Sequence, residues 1–327
     1  MPSPSTALQR PDLGVTLVQW DDFAARQGYI AQLVAPSIDV QLQSANIGKI
    51  PLKALLFDAE TRRNSGGKYS RSDYQFDQFN YATEEHGREE VVDDRLRKLY
   101  ARYFDAETIA VQRAQGLIAR RREQRVAALI FNATTFATQL TTPANEWDDA
   151  PNAEPIEDVD TAREAVFTRT GLVANALIVN GKVFQNLTRC DEIADKIMSL
   201  GLVQSPDQLR NVSAAMLARV LFPEVPDAQI IVAGGIKNSA NAVQPASPTR
   251  IWSGEYAMVA RIARSQDPQE PCLARSFNYT EDGGSLEGAV ESYREEGVRG
   301  DIIRVRHDTD EVIMYTEAGQ LLDNITT

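Results

Sequence analysis

The stretch REEVVDDRLRKLYARYFDAETIAVQRAQGLIARRREQRVAALIF, Arg88 to Phe131, decides how the rest of the chain is read. It has no proline and a single glycine, Gly116, and it is rich in Ala, Leu, Arg, Glu and Gln, which favour helix. Apolar residues at Leu96, Leu99, Tyr103, Ala106, Ala110, Ala114 and Leu117 recur at spacings of three and four, the mark of one helix face. Glu89, Glu90, Asp93 and Asp94 open the stretch, and Arg120, Arg121, Arg122 and Arg125 lie near its end, an order that suits the helix dipole. Unbroken, such a helix approaches roughly 60 Å. A compact globule of this chain length is only about 50 Å across. The pattern therefore predicts either a break, at Asp105 or Gly116, or a flat, elongated subunit that works through contacts with other chains.

Upstream, residues 50–84 read as a long β-hairpin. Ile50 to Phe57 (IPLKALLF) is its first strand, and Asn64, Ser65, Gly66 and Gly67 carry the turn. The return strand alternates through Tyr74 and Phe76, then changes phase to Phe79 and Tyr81, which predicts a bulge near Gln78. So long a two-stranded arm is marginal alone and needs a partner surface, the other reading being a hairpin folded onto its own domain. Residues 1–49, punctuated by Pro11, Gly14, Gly28 and Pro36, read as an extended arm without a core of its own. A short helix around Asp21 to Gln27 is its only expected element.

Downstream, a Pro/Asn/Asp-rich loop leads into a helix opening near Ile156, then a buried strand, Ala176 to Val179, and a helix from about Val183. A helix over Asp207–Phe222 precedes a strand over Gln229–Ile236. Residues 237–248 read as a loop, and Ile251–Ile262 as a strand. This is an α/β unit without a regular βαβ repeat. The tail supplies strands near Leu273–Tyr279, Ala289–Glu295, Asp301–Arg306 and Glu311–Thr316, with a turn over Asp308–Asp310.

Composition bounds the function. The chain of 327 residues carries a net charge of -12, which excludes a sequence-independent nucleic-acid binder. Cys190 and Cys272 form no CxxC or disulfide framework. No signal peptide and no apolar run of membrane-spanning length is present, so a soluble intracellular product is expected. His86 and His307, the only histidines, read as solvated rather than catalytic. No HExxH, P-loop or Gly-x-Ser-x-Gly motif occurs. Gly234-Gly235 reads as a turn, and the acidic run from Glu146 to Asp160 as a solvated loop rather than a calcium site. No catalytic, cofactor-binding or metal residue is expected.

Segment 88–131 carries ten Lys/Arg against seven Asp/Glu in an otherwise acidic chain. Arg120, Arg121, Arg122 and Arg125 are either a solvated face or a strip that meets the acidic surface of a neighbouring copy. Arg62, Arg63 and Lys68 at the hairpin tip add a second basic spot.

The order arm, hairpin, long helix, α/β block and closing strands resembles the major capsid proteins of tailed double-stranded DNA phages, a fold shared with herpesvirus capsids and encapsulin shells. Two stretches carry the resemblance. In residues 145–187, Trp147 and Asp148 precede a Pro155-Ile156 helix start, and Gly171-x-x-x-Asn175 leads to a buried strand and a helix. In residues 291–325, an aromatic and a basic strand precede Gly319 and Leu321-Leu322. Ala174 departs from the proline many members have before the asparagine.

The resemblance implies an α+β capsid fold: an N-terminal arm (1–49), an extended loop (50–87), a peripheral domain with a spine helix (88–135), an axial domain (136–262), peripheral strands (263–306) and a C-terminal return to the axial domain (307–327). It implies a non-enzymatic protein that self-assembles as hexamers and pentamers into an icosahedral shell around double-stranded DNA, in a virion assembled in the host cytoplasm. Arg62, Arg63, Lys68, Tyr74, Phe76, Phe79, Tyr81, Arg120, Arg121, Arg122 and Arg125 are the expected inter-subunit contacts. Partners would be further copies, a separate scaffolding protein, a portal and decoration proteins, with no cofactor. Some members cross-link a loop lysine to a neighbour's asparagine. Lys68 is the only lysine in the distal half of the loop, no feature marks its partner, and the cross-link is not predicted. The alternatives are an encapsulin-like compartment, disfavoured by the long arm, and a cytoplasmic α/β hydrolase or transferase, disfavoured by the lack of a nucleophile–base pair.

Overall fold

A computed structural model of the chain describes residues 8–9, 28–49, 51–52, 56–58, 61–71, 77–101, 105–201, 212–240, 244–282, 285–286 and 288–326. In chain order the N-terminal third holds β1 (Leu8–Gln9), α1 (Ala31–Val34), β2 (Ser37–Val40), β3 (Ser44–Lys49), β4 (Asp77–Ala82), β5 (Glu84–Asp93), α2 (Asp94–Tyr100) and α3 (Ala106–Ile130). The middle holds β6 (Leu140–Thr141), α4 (Pro155–Thr170), β7 (Ala176–Asn180), α5 (Gly181–Leu187), α6 (Asp191–Ser199), α7 (Ala214–Leu221) and β8 (Gln229–Ala233). Then come β9 (Ile236–Asn238), β10 (Pro248–Arg250), β11 (Ala257–Ala260), β12 (Ala274–Tyr279), β13 (Ala289–Glu295), β14 (Gly300–Ile313) and β15 (Gly319–Leu322).

The long helical stretch breaks at Asp105, one of the two expected places. The Asp105 carboxylate accepts from the Glu107 backbone N–H (3.2 Å) and the Thr108 hydroxyl (2.7 Å), an N-cap that starts α3 afresh. Asp93 caps α2 in the same way, accepting from the Arg95 and Leu96 backbone N–H groups. Residues Arg88 to Asp93, read as helix, are instead the end of β5, where Val92 packs into the core. The break also shifts the buried face. Ala110 and Ala114 are inside as expected, but Leu96 and Leu99 are exposed, and Val111, Ile118, Val126 and Ile130 complete the stripe. Gly116 stays inside the helix.

α3 bridges two sheets. At 25 residues it spans about 37 Å. Its first half packs Ala110, Val111, Ala114 and Ile118 against Val92, Val290, Ile303 and Val305 of one sheet. Its last turns pack Val126, Ala127 and Ile130 against the second. The first sheet runs β1-β13-β14-β12-β2, with β5 on the free side of β14. Two expected tail strands are here one. Asp308 to Asp310, read as a turn, continue β14 because β5 pairs it from Gly300 to Thr309, across the two residues that separate the end of β13 pairing at Arg306 from the start of β12 pairing at Thr309.

The second sheet, β6-β15-β11-β7-β8, is mixed: β7 runs parallel to β8 and antiparallel to β11. Both faces of β7 are buried. Leu177 and Val179 meet α4, α5, α6 and α7, while Ala176 and Ile178 meet α1 and α3. Pro155 begins α4 and Gly171 ends it in the left-handed region (φ 67°), donating to the Phe167 carbonyl at 2.7 Å. The arm is corrected in its second half. Residues 28–49 pack on the chain's own core, with Ile30, Ala31, Val34 and Ala35 buried, because β2 pairs parallel to β12 and α1 covers the second sheet. Asp21 to Gln27 lie outside the described residues.

Close strand approach yields one testable point. A Cβ on Gly300 would stand 2.6 Å from the Val92 carbonyl oxygen, an atom of the paired backbone that cannot swing aside. Gly300→Ala is expected to destabilise the chain by about 2 kcal/mol in urea unfolding.

Candidate assembly surfaces

The projecting ribbon differs from the expected hairpin in its first strand. β4 pairs not with Ile50–Phe57 but with β3, in continuous register from Ser44↔Ala82 to Lys49↔Asp77. Among the described residues of 50–57 none is in a strand, and Leu52 is buried against Ile38, Phe277 and Met314. Apolar content pulled the assignment toward residues 50–57. An exposed ribbon needs no apolar run, and SANIGK serves. Gln78 pairs with Gly48 without a bulge. Tyr74 and Phe76 lie outside the described residues.

Phe79 and Tyr81, expected at a neighbour, hold the ribbon to their own subunit. Tyr81 is buried, stacks on Phe277 at 4.5 Å and donates its hydroxyl to the Leu42 carbonyl; Phe79 lies 5.9 Å from the same ring. Two large aromatic faces at the ribbon's base gain more by burial here than by exposure. Lys49 adds an anchor that sequence reading missed, donating to the Met314 carbonyl (2.8 Å) over the Tyr315 ring. The far end is different. Residues 61–71 are all exposed and contain Arg62, Arg63, Lys68 and Arg71 with no acid. The expected turn is present, closed by the Gly67 N–H on the Asn64 carbonyl with Gly66 at φ 80°. Arg63 donates to the Gly67 carbonyl (2.7 Å) and lies over Tyr69, which stiffens the tip.

The arginine run on α3 divides. Arg121 is exposed and Arg120 reaches the Tyr29 hydroxyl at 3.3 Å. Arg122 and Arg125, also expected at a neighbour, turn inward to partners within the subunit. Arg125 makes a two-pronged pair with Glu311 (2.7 and 3.0 Å) and reaches Thr309, and Arg122 donates to Gln32 and Ser276. Burial would raise the Glu311 carboxyl, but the hydrogen bond and charge of Arg125, with Arg122, hold it below the usual carboxylate range. One turn of α3 thus carries its charges into the core, where a buried acid needs them.

Glu123 is a second such group. Fully buried, it accepts from the backbone N–H groups of Ile30 and Ala31 (2.9 Å each) and from the Trp252 indole (2.6 Å). Burial raises its pKa, and these donors only partly offset that.

His307 is also inside rather than solvated. It faces His86 across the β5–β14 ladder, ring centroids 5.8 Å apart, and Nδ1 meets the Leu286 carbonyl at 3.1 Å. Burial, with the charges of Arg125 and Arg122 and the neighbouring His86, pushes its pKa down to about 4. The acidic residues of 146–160 are mostly exposed, though Asp158 accepts from the Trp147 indole at 2.8 Å. Among the described residues no group of three His, Cys, Asp or Glu side chains is placed to hold a metal, and no helix is long and apolar enough to cross a membrane. Cys190 and Cys272 are buried thiols, the latter pushed up to about 11 by burial.

No protein-family model matches the chain. Over 171 residues it is 23% identical to the major capsid protein of Burkholderia phage BcepMu. That match covers 52% of this chain and 55% of the relative, so it spans about half the length of each. Among solved structures, a phage-related protein from Bordetella bronchiseptica RB50 is similar over 98% of both chains, with a TM-score of 0.68 at 17% identity. The putative capsid protein of an Escherichia coli CFT073 prophage covers 98% of this chain and 99% of its own, with a TM-score of 0.55 at 11% identity. The chain has the α+β fold of phage capsid proteins.

Proposed function

We propose that this chain is the major capsid protein of a tailed phage, assembling with copies of itself as hexamers and pentamers into an icosahedral shell around double-stranded DNA. The observation that carries this reading is the ribbon and the loop it bears. It is locked at its base by Tyr81 on Phe277 and presents an exposed, wholly basic tip that its own subunit leaves uncovered over residues 61–71. A surface of that sign on a chain of net charge -12 suits the acidic exterior of the next copy. In this reading α3 is the spine of the peripheral domain, which comprises 88–135 and 263–313. Residues 136–262, with the return of 314–327 after β14, form the axial domain, residues 1–27 and 50–87 are the arm and extended loop, and residues 28–49 pack on the chain's own core. A net negative subunit leaves packaged DNA unbound. A scaffolding protein, a portal and decoration proteins are the expected partners, and the virion is the expected location.

Particle sizing of the purified chain by light scattering with negative-stain microscopy tests this. Shells tens of nanometres across, or rings of five or six, are the expected result. A protein that stays monomeric or dimeric, even beside co-expressed viral partners, overturns the proposal. The basic tip has its own test. Replacing Arg62, Arg63 and Lys68 together by Glu is expected to abolish shells while leaving subunit stability within about 0.5 kcal/mol, since all three are exposed. Shells of normal yield from that variant would remove the tip from the assembly interface.

A further inference from the structure

The axial block carries two features that its own subunit leaves unmatched. One is the β9–β10 hairpin, a two-stranded sheet that pairs with no other strand among the described residues. Its conformation is fixed: Asn238 accepts from the Ala240 and Ser247 backbone N–H groups, and the Ser239 N–H donates to the Ser247 carbonyl. Yet Ile236 is 58% exposed, and the chain from Gln229 to Gly254 contains Lys237 and Arg250 but no acid. An isolated two-stranded hairpin with an exposed isoleucine wants a surface to lie on.

The other feature is a groove of about 420 Å³ along the second half of α4, walled by Phe167, Val173 and Pro223 and rimmed by Asp160, Glu164 and Glu224. Phe167 and Val173 are 48% and 42% exposed. Arg163, also in the wall, is matched within the subunit by Asp160 (2.6 Å) and Glu224 (3.6 Å), so the rim stays net acidic. Groove and hairpin are complementary in both respects, apolar centre to the exposed Ile236 at the base of the hairpin and acidic rim to the Lys237 and Arg250 beside it.

They also sit at opposite ends of the same strands. β7 and β8 run parallel. Val173 leads into the start of β7, and Pro223 and Glu224 precede the start of β8, whereas the hairpin follows the far end of β8 through Gly234-Gly235. Five residues of strand separate the two features by on the order of 15 Å. A subunit therefore cannot fill its own groove with its own hairpin. Complementary features at opposite ends make a head-to-tail contact, the kind that closes into a ring.

We propose that the β9–β10 hairpin of one subunit seats in the α4 groove of a second copy, with Ile236 against Phe167 and Val173 and Lys237 facing Glu164 and Glu224. This rests on the shell-subunit reading and names the surface by which axial blocks join.

The test mixes unassembled Val173→Cys and Ile236→Cys chains, concentrates them and applies mild oxidation; native Cys190 and Cys272 are buried and silent. The expected result is a cross-linked dimer at least tenfold more abundant in the mixture than in either variant alone. Ile236→Asp should cut the assembled fraction at least tenfold. Lys237→Glu should weaken assembly, and Glu164→Lys with Glu224→Lys should restore it. Wild-type particle size is read in parallel. Shells without the mixed cross-link overturn the docking and leave the shell reading standing. A mixed cross-link in a protein that stays dimeric and forms neither shells nor rings of five or six supports the docking and overturns the shell reading. A monomer with no cross-link overturns both.

Discussion

Glu123→Ala is expected to destabilise the subunit by about 4 kcal/mol, read as a loss of unfolding free energy of the unassembled chain in urea. The physical cause is specific. The Glu123 carboxylate receives three donors: the backbone N–H groups of Ile30 and Ala31, and the Trp252 indole. Alanine leaves all three without an acceptor in a place water does not reach, since Ile30, Ala31 and Trp252 are themselves buried. Each orphaned donor costs on the order of 1–2 kcal/mol, and α1 loses the carboxylate that favours its N-terminus. Glu123→Gln keeps the shape and one acceptor oxygen but turns an NH2 group toward donors, so about half the loss is expected. Local opening should follow, with residues 28–36 becoming the first site of protease cleavage in the alanine variant. A loss below about 1 kcal/mol would mean that residues 28–49 are not held by α3, and the assignment of that segment to the chain's own core would fall with it.

Glu123 also shows where sequence reading stops. In RRREQR it is one charge among several on a helix with good propensity, and nothing in the spacing marks three of the six residues as inward. Their burial is decided by partners far along the chain: Ile30 and Trp252 for Glu123, Glu311 for Arg125, Ser276 for Arg122. Features set locally were legible. Asp105 reads as a break, Asn64 to Gly67 as a turn, Pro155 and Gly171 bracket α4, and the four apolar residues from Ala176 to Val179 read as a buried strand. Features set by neighbours were not. Asp308-Thr309-Asp310 has turn composition, but β5 pairs Asp308 and Thr309 and β12 pairs Thr309 and Asp310, and ladder hydrogen bonds outweigh the weak local preference. Residues 50–57 lost their expected strand to the less apolar 44–49, because β3 is selected by its pairing with β4 and needs only the alternate residues Ala45 and Ile47 to pack on the core. The basic tip was legible as charge. Its aromatic base was read as an exposed contact, since only the fold places Phe277 beneath Tyr81.

The second large effect is a pH dependence centred on His307. In the unfolded chain its imidazole titrates near the ordinary value of 6.5, whereas burial, Arg125, Arg122 and His86 push the folded value to about 4. The folded value is depressed, so between these limits the unfolded state binds the extra proton. The stabilising contribution is complete above pH 6.5, falls as pH drops toward 4, and does not recover below it. A shift of that size corresponds to about 3 kcal/mol. Burial sets the sign for both rings, and the groups facing them modulate it: Arg125 and Arg122 from α3 also oppose a proton on His307, while on His86 Arg125 opposes one and Glu311, Glu84 and Asp308 favour one. Buried acids with raised values, Glu123, Asp308 and Asp310 among them, act in the opposite direction, because the native state takes up their protons first. The comparison must therefore be between proteins. His307→Asn keeps a donor at the Nδ1 position for the Leu286 carbonyl and has no charge to gain, so its stability should change less between pH 7 and pH 4 by about 3 kcal/mol than that of the wild type. Parallel stability curves for the two proteins over that range would show that the β5–β14 ladder opens to solvent before His307 takes a proton. In that case the buried pair would have no part in holding β5 against β14.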